Sequence, residues 1–224
     1  MIQTNKIGVV LIDICGTIFD SNTTFDFLDH NVNRSSYKIL RKVMYTLPWR
    51  AFNKLSVKAF GLDLTRHIAL KHLKNKSKSD LLHQTGRFYE EILQNKVNKQ
   101  VLQLIEDYRQ KGYTLVLASA TLDFIAQTIA EKLHIENYIS TDLEYQEGKF
   151  TGRVIAGRLG HKLKALTEIG FTPPYQTTIT DNYSDVDILR ESDRKIIVVS
   201  ESGKQRWDKI IRTNNLINTN LIHV

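Results

Sequence analysis

The stretch VVLIDICGTIFD, Val9 to Asp20, decides how the rest of the chain is read. Four apolar residues run into one carboxylate, Asp13, and a cysteine, a glycine and a threonine follow within four positions. A short continuous apolar run bounded by a turn, here IGVVLID from Ile7 to Asp13, is the pattern of a buried parallel strand. An aspartate leaving the end of such a strand has two fates. It can cap a turn or a helix, which is the common one, or it can act as a nucleophile. Asp13 alone favours capping, so its meaning depends on what the rest of the chain brings to the same place.

After this strand the pattern changes. From about Ser21 to Asn98, segments such as SSYKILRKVMYTL, RAFNKLSVKAFGL and DLLHQTGRFYEEIL carry apolar residues at helical spacing, with Asp80 as the expected N-cap of the last. No strand pattern interrupts them. From residue 99 helices and strands alternate: KQVLQLIEDYRQKG, closed by Gly112; YTLVLAS, a strand expected to end at Ser119; the helix TLDFIAQTIAEKLHI; a strand and hairpin over NYISTDLEYQEGKFTGRVIA, turning at EGK; the helix GHKLKALTEIG; YQTTITD, ending at Asp181; the helix SDVDILRES; and RKIIVVS as the expected last strand. That alternation predicts a parallel α/β sheet with right-handed crossovers. Ligands of such sheets sit at the carboxyl ends of the strands. Asp13, Ser119 and Asp181 would therefore meet on one rim.

The four segments VVLIDICGT, LVLASAT, GHKLKAL and TITDNYSDVDIL resemble, in this order, the motifs of haloacid-dehalogenase-like (HAD) hydrolases. TDLEYQEGKFTGRV followed by GHK is most similar to their phosphoserine-phosphatase branch. The resemblance covers residues 5–20 and about 99–200. It implies a Rossmann-like parallel-sheet core over 1–20 and 99–224, with an all-helical cap domain inserted at 21–98. It further implies a Mg²⁺-dependent phosphohydrolase that acts on a small phosphorylated substrate, lipid- and sugar-linked ones included, through an aspartyl-phosphate at Asp13.

The residues fit that chemistry. A carboxylate attacking a phosphate dianion needs neutralising charge, and Mg²⁺ commonly takes one or two protein carboxylates plus water and phosphate oxygen. Asp13 and Asp181 are the expected ligands, and the resemblance adds the backbone carbonyl of Cys15. Asp185 is expected as an outer partner, with Asp187 on the helix surface. The Ser119 hydroxyl and the Ala120 N–H could hold a phosphate oxygen at a helix N-terminus, with Thr17 nearby; a simple cap is the alternative for Ser119. Lys162 is preferred over Lys164 as the balancing cation, because residues two apart on a helix face different sides. Asn22, Thr23 and Thr24 are either substrate-facing or a loop and an N-cap.

Cys15 breaks the family pattern, which usually has a second aspartate there as general acid and base. A thiol, with an unperturbed pKa near 8.5, can donate a proton but is a poor base at neutral pH. The expectation is a site that keeps phosphate and metal binding but turns over slowly. The alternative is a catalytically weak or silent phosphate-binding or regulatory protein.

Charge bounds the partners. The chain carries +7, and residues 31–80 hold twelve Lys/Arg against Asp63 and Asp80. That imbalance points to an anionic partner or to a solvated helical face. The basic amphipathic stretch RKVMYTLPWRAFNKLSVKAFGL can lie on an anionic membrane, or pack as an ordinary cap helix. No helix-turn-helix or zinc module supports nucleic-acid binding. His67 and His72, five apart, are read as surface. One cysteine and the lack of an apolar leader before Gly8 fit a cytoplasmic protein.

Overall fold

The computed structural model describes residues 8–60 and 63–224; Ile7, where the first strand was expected to begin, and Gly61 and Leu62 lie outside them. The chain begins with β1 (Val9–Ile12) and continues through five helices: α1 (Thr23–Asn31), α2 (Ser35–Met44), α3 (Leu47–Phe60), α4 (Leu64–Leu70) and α5 (Lys78–Glu91). Alternation follows: α6 (Lys99–Gln110), β2 (Thr114–Leu122), α7 (Asp123–Lys132), β3 (Asn137–Gln146), β4 (Lys149–Ala156), α8 (Lys162–Glu168), β5 (Tyr175–Thr180), α9 (Val186–Arg190), β6 (Ser192–Val199), α10 (Lys204–Thr213) and β7 (Thr219–His223).

The strands form one sheet in the order β4-β3-β2-β1-β5-β6-β7, parallel except for the β3–β4 hairpin at the edge. β1 is central because it is buried on both faces: Val10 and Ile12 enter one apolar cluster and Leu11 the other. The hairpin turns at Glu147 and Gly148, both at positive φ, which suits a two-residue turn between twisted strands. The helical segment is not packed apart from the sheet. Phe27 of α1, Phe88 of α5 and Phe124 of α7 stack edge to face, with centroids 5.7 and 5.1 Å apart. They belong to the same buried cluster as β1.

Four expectations need correction. β2 does not stop at Ser119 but runs to Leu122, because Ala118 to Leu122 remain strand-like and almost wholly buried. β6 is not the last strand; α10 and the edge strand β7 follow it. Asp80 does not cap α5; Ser77 does, its hydroxyl accepting from the Asp80 N–H at 3.0 Å. His72 is not simply surface, since its ring meets Tyr37 edge to face at 5.4 Å.

Candidate active site

β1 delivers Asp13 to the carboxyl edge of the sheet, where its N–H continues the ladder to Ile179 O at 2.9 Å. The chain then turns sharply: Gly16 sits at φ +70°, and its N–H bonds Phe19 O at 2.8 Å. Glycine is required there twice over. A Cβ at this position would stand 2.1 Å from Asp181 Oδ2, and the left-handed backbone disfavours any other residue.

Asp13 is 4% exposed. Its Oδ1 accepts from the Ile14 N–H at 2.8 Å and lies 3.2 Å from Lys162 Nζ. The ammonium also donates to Asp185 Oδ2 at 2.6 Å, and Asp185 in turn accepts from Thr180 Oγ1 at 2.7 Å. A buried charge requires partners of this kind. Burial alone would lower the Lys162 pKa, but Asp13 and Asp185 outweigh it and raise the value. Burial pushes Asp185 up, against the pull of Lys162. Lys164 points away and is 81% exposed.

Asp181 follows β5. Thr17 Oγ1 accepts from its N–H at 2.9 Å and donates to its Oδ1 at 3.1 Å. Burial, then the charge of Asp13, pushes the Asp181 carboxyl up to about 7. Two carboxylates that resist joint ionisation mark a place where a cation would be welcome. Among the described residues, no three His, Cys, Asp or Glu side chains gather into a metal cage. A hard cation that keeps most of its water does not need one.

Cys15 is half-buried, with Sγ 3.0 Å from Thr23 Oγ1, and Thr23 shares a 2.5 Å contact with Thr121 Oγ1. Burial and then Asp13 raise the thiol pKa, which holds it protonated. The pocket over the rim measures about 710 Å³, with Cys15, Gly16, Asn22, Thr24, Ala120 and Asp181 on its wall.

Thr17, Thr23 and Ser119 change role with the geometry, while Asn22 takes its N-cap alternative and Asp187 stays on its own helix. Thr17 does not face the pocket; it is fully buried and spends its hydroxyl on Asp181. Thr23 is likewise buried beneath the wall, bonded to Cys15 and Thr121. Asn22 is the N-cap of α1, accepting from Phe25 N at 3.4 Å. Ser119 is not at a helix N-terminus, because the strand continues; its Oγ accepts from Thr121 N at 3.3 Å. Asp187 turns onto its own helix start, accepting from Ile188 N at 2.8 Å.

One residue of the pocket was not anticipated. Arg66, at the start of α4, reaches across to Ala120 O at 2.6 Å and Thr141 Oγ1 at 3.3 Å. Its Nε is buried with no partner. Nothing in the pattern TRHIALKHLK distinguishes it from its basic neighbours. Only the fold shows which cation turns inward.

The sheet thus gathers Asp13, Asp181, Asp185 and Lys162 on its carboxyl edge. The chain belongs to the haloacid dehalogenase-like hydrolase family, whose model matches residues 10–190. It is 28% identical over 130 residues to phosphoserine phosphatase SerB1 of Mycobacterium tuberculosis, covering 55% of this chain and 42% of that one. The chain thus spans less than half the length of the curated relatives it matches. A Bordetella pertussis protein of unknown function shares the fold at TM-score 0.70 and 18% identity, over 96% of this chain and 97% of that one. A phosphoserine phosphatase structure with a phospho-aspartyl intermediate analogue matches at TM-score 0.56 and 17% identity, over 86% and 87%.

Proposed function

We propose that the chain hydrolyses a phosphomonoester, with Asp13 as the nucleophile and Mg²⁺ as cofactor. The observation that carries this reading is the buried Lys162 held between Asp13 and Asp185 at 3.2 and 2.6 Å. Such an ion pair is costly to bury, and its use here is to fix the attacking carboxylate. Among the described residues, Ile14 N–H and Lys162 both engage Oδ1, which leaves Oδ2 free to attack.

Attack forms an Asp13–phosphorus bond and breaks the ester P–O bond, so the leaving oxygen needs a proton. The Cys15 thiol can supply one. Water then attacks phosphorus and breaks the Asp13–phosphorus bond, its proton returning to the Cys15 thiolate, which releases phosphate and restores both side chains. Asp13, Asp181 and the Cys15 carbonyl are oxygen donors of the kind Mg²⁺ takes, and the high pKa of Asp181 fits a carboxylate waiting for a cation. The metal would supply neutralisation of the phosphate charge. The buried, unpartnered Nε of Arg66 supports a role in holding a substrate anion. The helices that overhang the rim serve, on this reading, as a cap that excludes water.

The raised pKa of Cys15 also favours slow turnover, because a thiol that holds its proton tightly gives it up poorly to the leaving oxygen. The deciding measurement is Mg²⁺-dependent phosphate release from p-nitrophenyl phosphate. Asp13→Asn should reduce it to background. Release that survives this substitution would refute the nucleophile. Vanadate binding without any release would favour a silent phosphate binder instead.

A further inference from the structure

Residues 34–60 contain seven Lys/Arg and no acid. The other 24 Lys/Arg balance the 24 acids, so this segment holds the whole +7 of the chain. It also holds much of the exposed apolar surface. Of the thirteen large hydrophobic side chains left exposed among the described residues, seven lie between Ile39 and Val57. Leu47 is 77% exposed, Leu55 63% and Phe52 56%.

The helical period sorts these residues on α3. Leu47, Ala51 and Leu55 form one stripe with Phe52 beside it, and Arg50, Lys54 and Lys58 make a row along its border. A surface helix ordinarily turns its apolar stripe to the core; α3 turns it to solvent. The inner face is already engaged. Trp49 Nε1 donates to Thr65 Oγ1 at 2.8 Å, and Asn53 bonds both Thr65 N and Asp63 Oδ1 at 3.1 Å. The outward stripe is therefore not a core face left unpacked.

A second cavity, about 570 Å³, opens beside α3 between Phe25, Met44, Leu47 and Trp49, with Arg50, Lys54 and Asp63 on its wall. It adjoins the rim pocket, since Phe25 and Asp63 line both.

We propose that the α2–α3 surface lies on an anionic bilayer through Leu47, Phe52, Leu55 and their basic border, and that the site beneath draws a lipid-anchored phosphomonoester from that bilayer. The second half rests on the phosphatase reading above. An apolar stripe edged by Arg50, Lys54 and Lys58, on helices that carry no acid of their own, suits the plane of an anionic leaflet; Asp29, paired with Arg41, and Asp63, bonded to Asn53, lie on neighbouring elements. Nucleic acid offers no counterpart to the leucines. A second copy of the chain would set one basic surface against another. No helix among the described residues is long and apolar enough to cross a membrane, which is consistent with docking on the surface.

The test uses the full chain with vesicles of phosphatidylcholine alone or with added phosphatidylserine. Binding should require phosphatidylserine and weaken with salt. Phe52→Ser/Leu55→Ser and, separately, Lys42→Glu/Lys58→Glu should each lower it about tenfold or more, with circular dichroism unchanged. Both variants should retain p-nitrophenyl phosphate hydrolysis and lose hydrolysis of vesicle-borne phosphatidic acid. Absent binding, equal binding to neutral vesicles, binding indifferent to both variants, or a dimer dissolved by Phe52→Ser/Leu55→Ser would overturn the docking surface. Phosphatidic acid hydrolysis that persists in both variants would overturn the substrate. Lipid binding without turnover of either substrate would strike the phosphatase reading and leave the docking surface standing.

Discussion

The charges at the sheet edge and those on α2–α3 differ in what answers them. At the edge, Lys162 is 1% exposed and meets Asp13 and Asp185 within 3.2 Å. On α3, Arg50, Lys54 and Lys58 are exposed, and no acidic residue lies between Ser35 and Phe60 to answer them. The first set is internally complete and fixes a geometry. Apart from Arg41 of α2, which pairs with Asp29, the second is a field directed outward, and its partner is not part of the chain. The contrast separates a site that does chemistry from a surface that brings the chemistry to its substrate.

The largest effect should come from breaking the closed set. Lys162→Met leaves two carboxylates buried without their cation, and loss of one partner of a buried pair costs about 3–5 kcal/mol. Urea unfolding should show that drop with the slope of the transition unchanged. A loss below about 1 kcal/mol, the range of exposed pairs, would mean that the lysine is far less enclosed than its 1% exposure indicates.

Next in size is the repair of Cys15. Replacing it with Asp supplies the acid and base that the thiol lacks, and general acid–base catalysis is worth about 10²–10⁴-fold. Turnover of an alkyl phosphate should rise by about 10²-fold. That of p-nitrophenyl phosphate, whose leaving group needs little proton, should rise less. Equal gains for both substrates would argue that Cys15 limits something other than proton transfer.

A smaller effect concerns Asp181. Burial and the charge of Asp13 push its carboxyl up to about 7 in the folded state, from an ordinary 3.8. The folded state therefore keeps a proton that the unfolded state has released, so the stability this group contributes is present below about 4 and lost as pH rises towards 7. Asp181→Asn removes that slope. The stability difference between Asn variant and parent, measured without metal, should shift in the variant's favour from about pH 4 to about pH 7, and Mg²⁺ should narrow it. A flat difference would mean that neither burial nor the charge of Asp13 raises this carboxyl.

What the sequence reveals follows the same division. Buried elements announce themselves: β1 by its apolar run, Lys162 over Lys164 by helical spacing, the β3–β4 turn by its glycine. The errors fall where local chemistry is shared between alternatives. Ser77 and Asp80 are both good N-caps three residues apart, and Ser77 wins because it lets Leu81 turn inward while Asp80 stays exposed. Ser119 looked like the end of a strand because small residues follow it, yet small residues also fit a strand buried on both faces. β7 is a half-exposed edge strand too polar to stand out. Arg66 was beyond reach, since a cation turned inward has the same letter as one turned outward.

The smallest expected effect sharpens the comparison most. An apolar residue that packs a core costs about 2–5 kcal/mol when truncated, whereas surface substitutions usually stay within about 0.5 kcal/mol. If the outward stripe of α3 has no partner within the chain beyond the Trp49 ring, which Phe52 meets at 6.0 Å, Phe52→Ser/Leu55→Ser should fall in the second range despite removing two large hydrophobic side chains. Urea midpoints within error of the parent would show that these side chains do nothing for the fold. Their retention as large apolar groups would then need a reason outside it. A loss of about 2 kcal/mol or more would return the stripe to the core, and with it the distinction between the closed site and the open surface.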